Sequence, residues 1–422
     1  MNMQNAKIIE SDKIIVVLLL CTAFSLFLFC EPARTMLSQS KINMSYNLLF
    51  IIFGTMTVAY LLLKEFVDIR IVLVTFAFTG VASISIIATG NTFSGQWLKV
   101  MAAMIIPFLM TGFRLPESVF ETFMRRFIKS VNVVCLILVV IGIFDYLSGA
   151  AIQTYFATHH IFDNEFAHLV LLERSYGIYR YYSFLGHPLT NAWYLLMFYV
   201  LNILHDRYFK EMLNEYILTL ITLIGLVLCG SRTALVIGLL MFVFLNNRRH
   251  KVPYVLLLST LSAGIALTPM FQNNLMKRFV IGMHSGDFSE GRNEASSRVF
   301  NNIVKQPSFF TGGGVSYSRE VTLSMGGFIK SFEYPFMMFV YDWGIIGTIL
   351  IYILILLIPA LIFLKNKNYF LLIFLFAISL YMNGSNDISN YSDVMGQLCF
   401  FIMIMVNMSY LIKIKRKKCE EV

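Results

Sequence analysis

Charge is scarce in this chain. Asp, Glu, Lys and Arg make up 14% of its 422 residues, 58% are hydrophobic, and the mean hydropathy is +0.72. That balance excludes a water-soluble globular protein, in which about a quarter of residues are charged. Sequence motifs for soluble chemistry are missing too. There is no phosphate-cradling glycine loop, zinc spacing, nucleophile elbow or dinucleotide fingerprint. His284, Asp287, Glu290 and Glu294 lie close together, but their spacing fits no standard ligand pattern, so no metal and no other cofactor is expected. The cysteines (Cys21, Cys30, Cys135, Cys229, Cys399, Cys419) fall in or beside apolar runs or in the last residues, which argues against a disulfide framework. No internal repeat and no low-complexity segment is present.

What the chain does have is long apolar runs. Twelve of them, most close to the ~20 residues that cross a ~30 Å hydrocarbon core, lie at 14–29, 46–63, 71–89, 97–113, 131–147, 188–204, 216–229, 234–245, 255–270, 344–364, 369–382 and 395–412. The expected fold is an all-α polytopic membrane protein of about twelve transmembrane helices, one integral membrane domain over 1–422. The first run is not expected to be a cleaved signal peptide, because Cys30-Glu31-Pro32 follows it rather than a small-residue cleavage site. Positive charge sets the orientation. With both termini inside, the inner segments collect Lys64, Arg70, Arg114, Arg125, Arg126, Arg248, Arg249, Lys365, Lys415 and Arg416 among others. The short outer loops hold only Arg34, Lys41, Arg174, Arg180 and Arg232. The net charge of +9 therefore reports orientation and not a nucleic-acid partner. Lys99 is the charge noted within a span.

Two outer connections are long, 148–187 and 271–343, and long connections tend to carry function. In the second, 282–297 is polar and lacks an apolar period. The stretch 297–306 reads as an amphipathic helix, with Val299, Phe300, Ile303 and Val304 opposite Arg298, Asn301, Asn302 and Lys305. Pro307 ends it, and Gly312-Gly313-Gly314 permits a tight turn. The run 332–341 reads as a re-entrant or interfacial helix abutting the span that begins at Gly344.

The candidate site residues sit at the outer membrane boundary. Arg232, in Gly230-Ser231-Arg232-Thr233-Ala234, lies between two apolar runs with no room for a loop. A guanidinium there costs up to ~3 kcal/mol if it sits deep. Arg180 precedes the 188–204 span, and Arg298 lies on the amphipathic stretch. Three guanidiniums facing one compartment suit a diphosphate, whose oxygens each can bind bidentately; lipid-headgroup anchoring is the alternative. Glu333 is placed to act as a general base, with Asp342 as a second carboxylate; either could instead serve the dipole of a helix N-terminus. His187, before Pro188, and Tyr317 are accessory candidates. Tyr181, Tyr182, Tyr334, Trp97, Trp193 and Trp343 could stack on sugars, and an interfacial aromatic belt also accounts for them.

In these segments the chain resembles the O-antigen ligase and polymerase superfamily. Gly230-Ser231-Arg232-Thr233-Ala234 is similar to its serine–arginine signature at a hairpin of spans. Arg180 with Gly186-His187-Pro188 is similar to its arginine and glycine–x–proline segment. Arg298, Pro307 and Gly312-Gly313-Gly314 resemble its long periplasmic loop, leading to the span entrance Gly344–Gly347. The likeness covers roughly 180–364. It implies a GT-C-like, metal-independent membrane glycosyltransferase of the bacterial inner membrane. Its donor and acceptor would be undecaprenyl-diphosphate-linked glycans at the periplasmic face, with membrane lipid and a chain-length regulator as further partners. Superfamily ligases carry a histidine–asparagine pair where this chain has Glu333-Tyr334, which points to the repeat-unit polymerase branch. Arg180, Arg232 and Arg298 would hold the donor diphosphate, and Glu333 would deprotonate the acceptor hydroxyl. A flippase of lipid-linked oligosaccharide and an O-antigen ligase are the rival expectations.

Overall fold

The computed structural model describes the chain except residues 1–2, 31–32, 36–46, 91–92, 160, 163, 247–250, 277–279, 281–282, 285–296, 298, 300–305, 325–331, 333, 386–392 and 421–422. Among the described residues there is no strand beyond three isolated bridges, and each of the twelve apolar runs falls on helix. Four helical stretches among the described residues are long and apolar enough to cross a membrane: Ile69–Ala88, Glu117–Leu147, Pro335–Lys365 and Val394–Arg416. Leu48–Leu63, Gly95–Thr111, Glu215–Cys229, Arg232–Phe244, Val252–Ala266 and Tyr369–Gly384 are shorter apolar helices. The protein is therefore a helical membrane protein by length and composition.

The chain divides into two compact units. The first comprises Met1–Cys30, Ser45–Phe127 and Arg292–Val422. Its centre is the C-terminal helix, whose spanning window is 94% buried against protein, compared with 33% for Ile69–Ala88 at the periphery. Two of its helices carry a π-turn just before a proline. π-Turns at Met101–Ile105 and Ile353–Leu357 immediately precede Pro107 and Pro359. A proline lacks the N–H for the ladder and its ring crowds the carbonyl four residues back, and a wider turn accommodates both defects.

The second unit comprises Glu31–Met44 and Ile128–Gly291. Helix Pro188–Tyr208 is its core, buried on nearly all sides and packed against Glu215–Cys229. Among its polar side chains, Asn202 and His205 hydrogen-bond within the protein, as a low-dielectric setting favours. Asn202 and Asn132 exchange reciprocal amide hydrogen bonds of 2.7 and 3.1 Å. The long connection 148–187 is also largely helical. Ala151–Thr158 and Asn164–Ser175 pack on one another over a small apolar cluster of Ala157, Phe162, Val170 and Tyr182.

Candidate functional site

In the second unit, the segment 179–187 is strapped down by buried polar groups. Asp145, fully buried near the end of helix Glu117–Leu147, accepts from the Gln153 backbone N–H (3.0 Å) and the Tyr179 hydroxyl (2.9 Å). Gln153 then accepts from the Tyr182 N–H at 3.1 Å. From the other side, Asn191 donates to the Tyr181 carbonyl (2.8 Å) and accepts from the Ser183 hydroxyl (2.7 Å). Buried amides and carbonyls of an irregular segment must find partners, and these side chains supply them.

The strap places Arg180 beside the Arg232 hairpin. The Tyr181 N–H donates to the Leu228 carbonyl at 3.0 Å, in the last turn of Glu215–Cys229. The hairpin that follows is built by local rules. Gly230 ends the first helix in the left-handed region (φ 63°), and Ser231 caps the second by accepting from the Ala234 N–H at 3.3 Å. Arg232 is thus the first residue of Arg232–Phe244, half-buried.

Arg180 does not reach outward to headgroups. Its guanidinium turns into the protein and pairs with Glu173 on Asn164–Ser175 (Nη1 to Oε1, 3.0 Å), the two side chains being 13% and 18% exposed. His187 caps Pro188–Tyr208, its Nδ1 accepting from the Leu189 N–H at 3.2 Å. That bond assigns the neutral tautomer with the proton on Nε2. Burial, then the Arg180 charge, holds the imidazole well below its usual pKa. In that tautomer His187 serves the helix as its N-terminal cap. The rings of Tyr182 and Phe166 flank it, with centroids at 5.3 and 5.9 Å.

In the first unit, the helix Pro335–Tyr352 breaks at Gly344 (φ 66°, ψ −178°), so the run ending at Tyr341 is a distinct helical piece abutting the span, as its sequence suggests. The triglycine segment docks into the break. The Gly313 and Gly314 N–H groups donate to the carbonyls of Tyr341 (2.8 Å) and Asp342 (2.9 Å), and the Ile345 N–H donates to Phe309 (2.9 Å). The Ser85 hydroxyl also donates to the Asp342 carbonyl, at 3.3 Å. The Asp342 carboxylate is fully buried and accepts from the Ser318 N–H at 2.7 Å, capping Tyr317–Ser324. The Tyr317 ring lies where a Gly313 side chain would be, and burial, then Glu320, pushes its phenol pKa up.

Arg180, Arg232 and His187 therefore fall in the second unit, and Tyr317 and Asp342 in the first. Arg298 and Glu333 lie outside the described residues, as does most of 297–306, of which Ser297, Val299 and Gln306 are described. Of the grouping around His284, only His284 is described. The sequence reading passed over Glu173, Asp145, Gln153 and Asn191. A signal existed for Asp145: like Lys99, it is an ionisable residue inside an apolar run, which in a membrane protein flags a built polar contact. Compared with protein-family models and with curated proteins, the chain matches none.

Proposed function

We propose that the chain is a membrane glycosyltransferase that polymerises undecaprenyl-diphosphate-linked repeat units into O-antigen or capsular polysaccharide. In this reading it has twelve spans and a GT-C-like architecture, with both termini in the cytoplasm of a bacterium and its site at the periplasmic face of the inner membrane. Arg232 and Arg180 engage the donor diphosphate and offset the charge that builds as the glycosidic C–O bond to phosphate breaks. Arg298 is the third arm of this clamp. Glu333 takes the proton from the acceptor hydroxyl, and the diphosphate leaves already activated, so no cofactor enters. The observation that carries the reading is the hydrogen bond from Tyr181 to Leu228, which brings the Arg180 segment to the Gly230-Ser231-Arg232 hairpin within one unit.

Arg232→Ala is the test. Long-chain polysaccharide should disappear while protein level and topology are retained, and Arg232→Lys should recover little, since one ammonium cannot replace a planar fork. A normal chain-length ladder in Arg232→Ala would sink the clamp. A flippase of lipid-linked oligosaccharide is the second reading, favoured by the helix break at Gly344 and the buried Asp145, because interrupted helices and intramembrane carboxylates line transport paths. A deletion strain separates these classes. Single repeat units on the lipid core mean polymerase, precursor retained at the inner leaflet means flippase, and untransferred lipid-linked polymer means ligase.

A further inference from the structure

We propose that Glu173 is the positioning residue of the Arg180 subsite: it holds the guanidinium in place and yields it to an incoming phosphate, so that the donor diphosphate enters by carboxylate-for-phosphate exchange. The inference rests on the reading of Arg180 as a diphosphate ligand and adds to it a residue and a mode of entry.

Two features of the pair support exchange over permanent structural pairing. First, the contact is end-on, through one guanidinium nitrogen and one carboxylate oxygen. The second carboxylate oxygen is buried and makes no hydrogen bond of normal geometry, and the neighbouring Tyr182 hydroxyl interacts with the carboxylate only weakly. A buried carboxylate left half-satisfied is a costly partner. A diphosphate brings more charge and a bidentate edge to the same guanidinium. Second, the two ends of the pair are held differently. The backbone flanking Arg180 is fixed by Leu228 and Asn191, so the arginine stays in place when its partner changes. Glu173 lies in the last turn of Asn164–Ser175, followed by exposed residues from Arg174 to Gly177, so a released carboxylate has water at hand.

The test is binding of undecaprenyl diphosphate to the purified full chain in nanodiscs. Glu173→Gln keeps the shape and removes the competing charge, and should tighten binding about tenfold, within the usual range of coupling between sites. Glu173→Asp, with the charge withdrawn by one methylene, should tighten it less. Arg180→Ala should weaken it. A merely structural Glu173 would instead give weaker or unchanged binding with a lower melting temperature. Equal or weaker binding by a folded Glu173→Gln overturns the inference; if that variant does not fold, Glu173→Asp decides by the same criterion. Unchanged binding in Arg180→Ala overturns it too, while leaving Arg232 as a diphosphate ligand. No binding by the wild type overturns both this inference and the polymerase reading.

Discussion

Replacing Gly344 by alanine should unfasten the joint between the triglycine segment and the helix broken at that residue. The magnitude follows from two local terms. At φ 66° and ψ −178° the backbone lies in a region essentially confined to glycine, and a side chain there costs about 1–3 kcal/mol. The added Cβ would also stand 2.3 Å from the carbonyl carbon and oxygen of Phe310 and 2.5 Å from the Thr311 nitrogen. These are backbone atoms that cannot rotate away, so the segment must shift. The shift would strain the hydrogen bonds from Ile345, Gly313 and Gly314 across the joint, each with a net value of about 0.5–1.5 kcal/mol. A total of about 3–6 kcal/mol is a large share of the ~5–15 kcal/mol that holds a typical domain. Gly80→Ala is the internal control. A Cβ at Gly80 meets nothing within 4 Å, and the site is interior to Ile69–Ala88, so alanine should be neutral or stabilising by up to about 1 kcal/mol. Thermal unfolding in detergent, followed by tryptophan fluorescence, reads the result directly because Trp343 adjoins the break. If Gly344→Ala melts with the wild type, or if Gly80→Ala falls as far as it does, the reasoning from the joint is wrong.

Two further outcomes concern the strap. Asn191→Leu leaves the Tyr181 carbonyl and the Ser183 hydroxyl buried without their present partner, and should lower stability by about 2–4 kcal/mol; an unchanged melting curve would mean that the amide does not hold the segment. His187→Asn preserves the cap, since asparagine caps helices well, and should leave stability at pH 7.5 nearly intact. The folded protein holds His187 below its ordinary pKa, so stability that is present above about pH 6.5 should fall as acid protonates the unfolded chain first. The asparagine variant should lose that part of the pH dependence, and identical wild-type and variant profiles from pH 7.5 to 5 would count against a neutral buried imidazole.

The helices and the Arg232 hairpin were legible because their causes are local. An apolar run of membrane length has few alternatives to helix, and Gly230 followed by Ser231 is a stop signal and a start signal in adjacent positions. The helices 151–158 and 164–175 were not foreseen. Each is too short to show a clear apolar period, and they owe their packing to Phe162, Val170 and Tyr182 meeting across the connection. The partner of Arg180 was hidden for a related reason: Glu173 reaches it only once Asn164–Ser175 has formed and the chain has turned back at Gly177 (φ 67°). Asp342, a second carboxylate candidate with a helix-end role as its alternative, serves the N–H of Ser318, 24 residues earlier, a partner no local pattern announces. Glycines at 312–314 announced a turn, but nothing local announces that the turn docks at Tyr341 and Asp342.

The reciprocal amides of Asn132 and Asn202 have a consequence for depth. Sliding one helix past the other by a single residue moves an amide ~1.5 Å along the axis, enough to misalign both hydrogen bonds, and unlike an apolar seam the pair offers no alternative register close by. The two helices are thereby pinned like the marks of a ruler. Pro188–Tyr208 begins at the strap that carries Arg180, so the height of that arginine along its helix bundle is set by protein–protein contact. In a thinner or thicker bilayer the lipid would have to adapt to the protein, while the strap keeps its level relative to Glu117–Leu147.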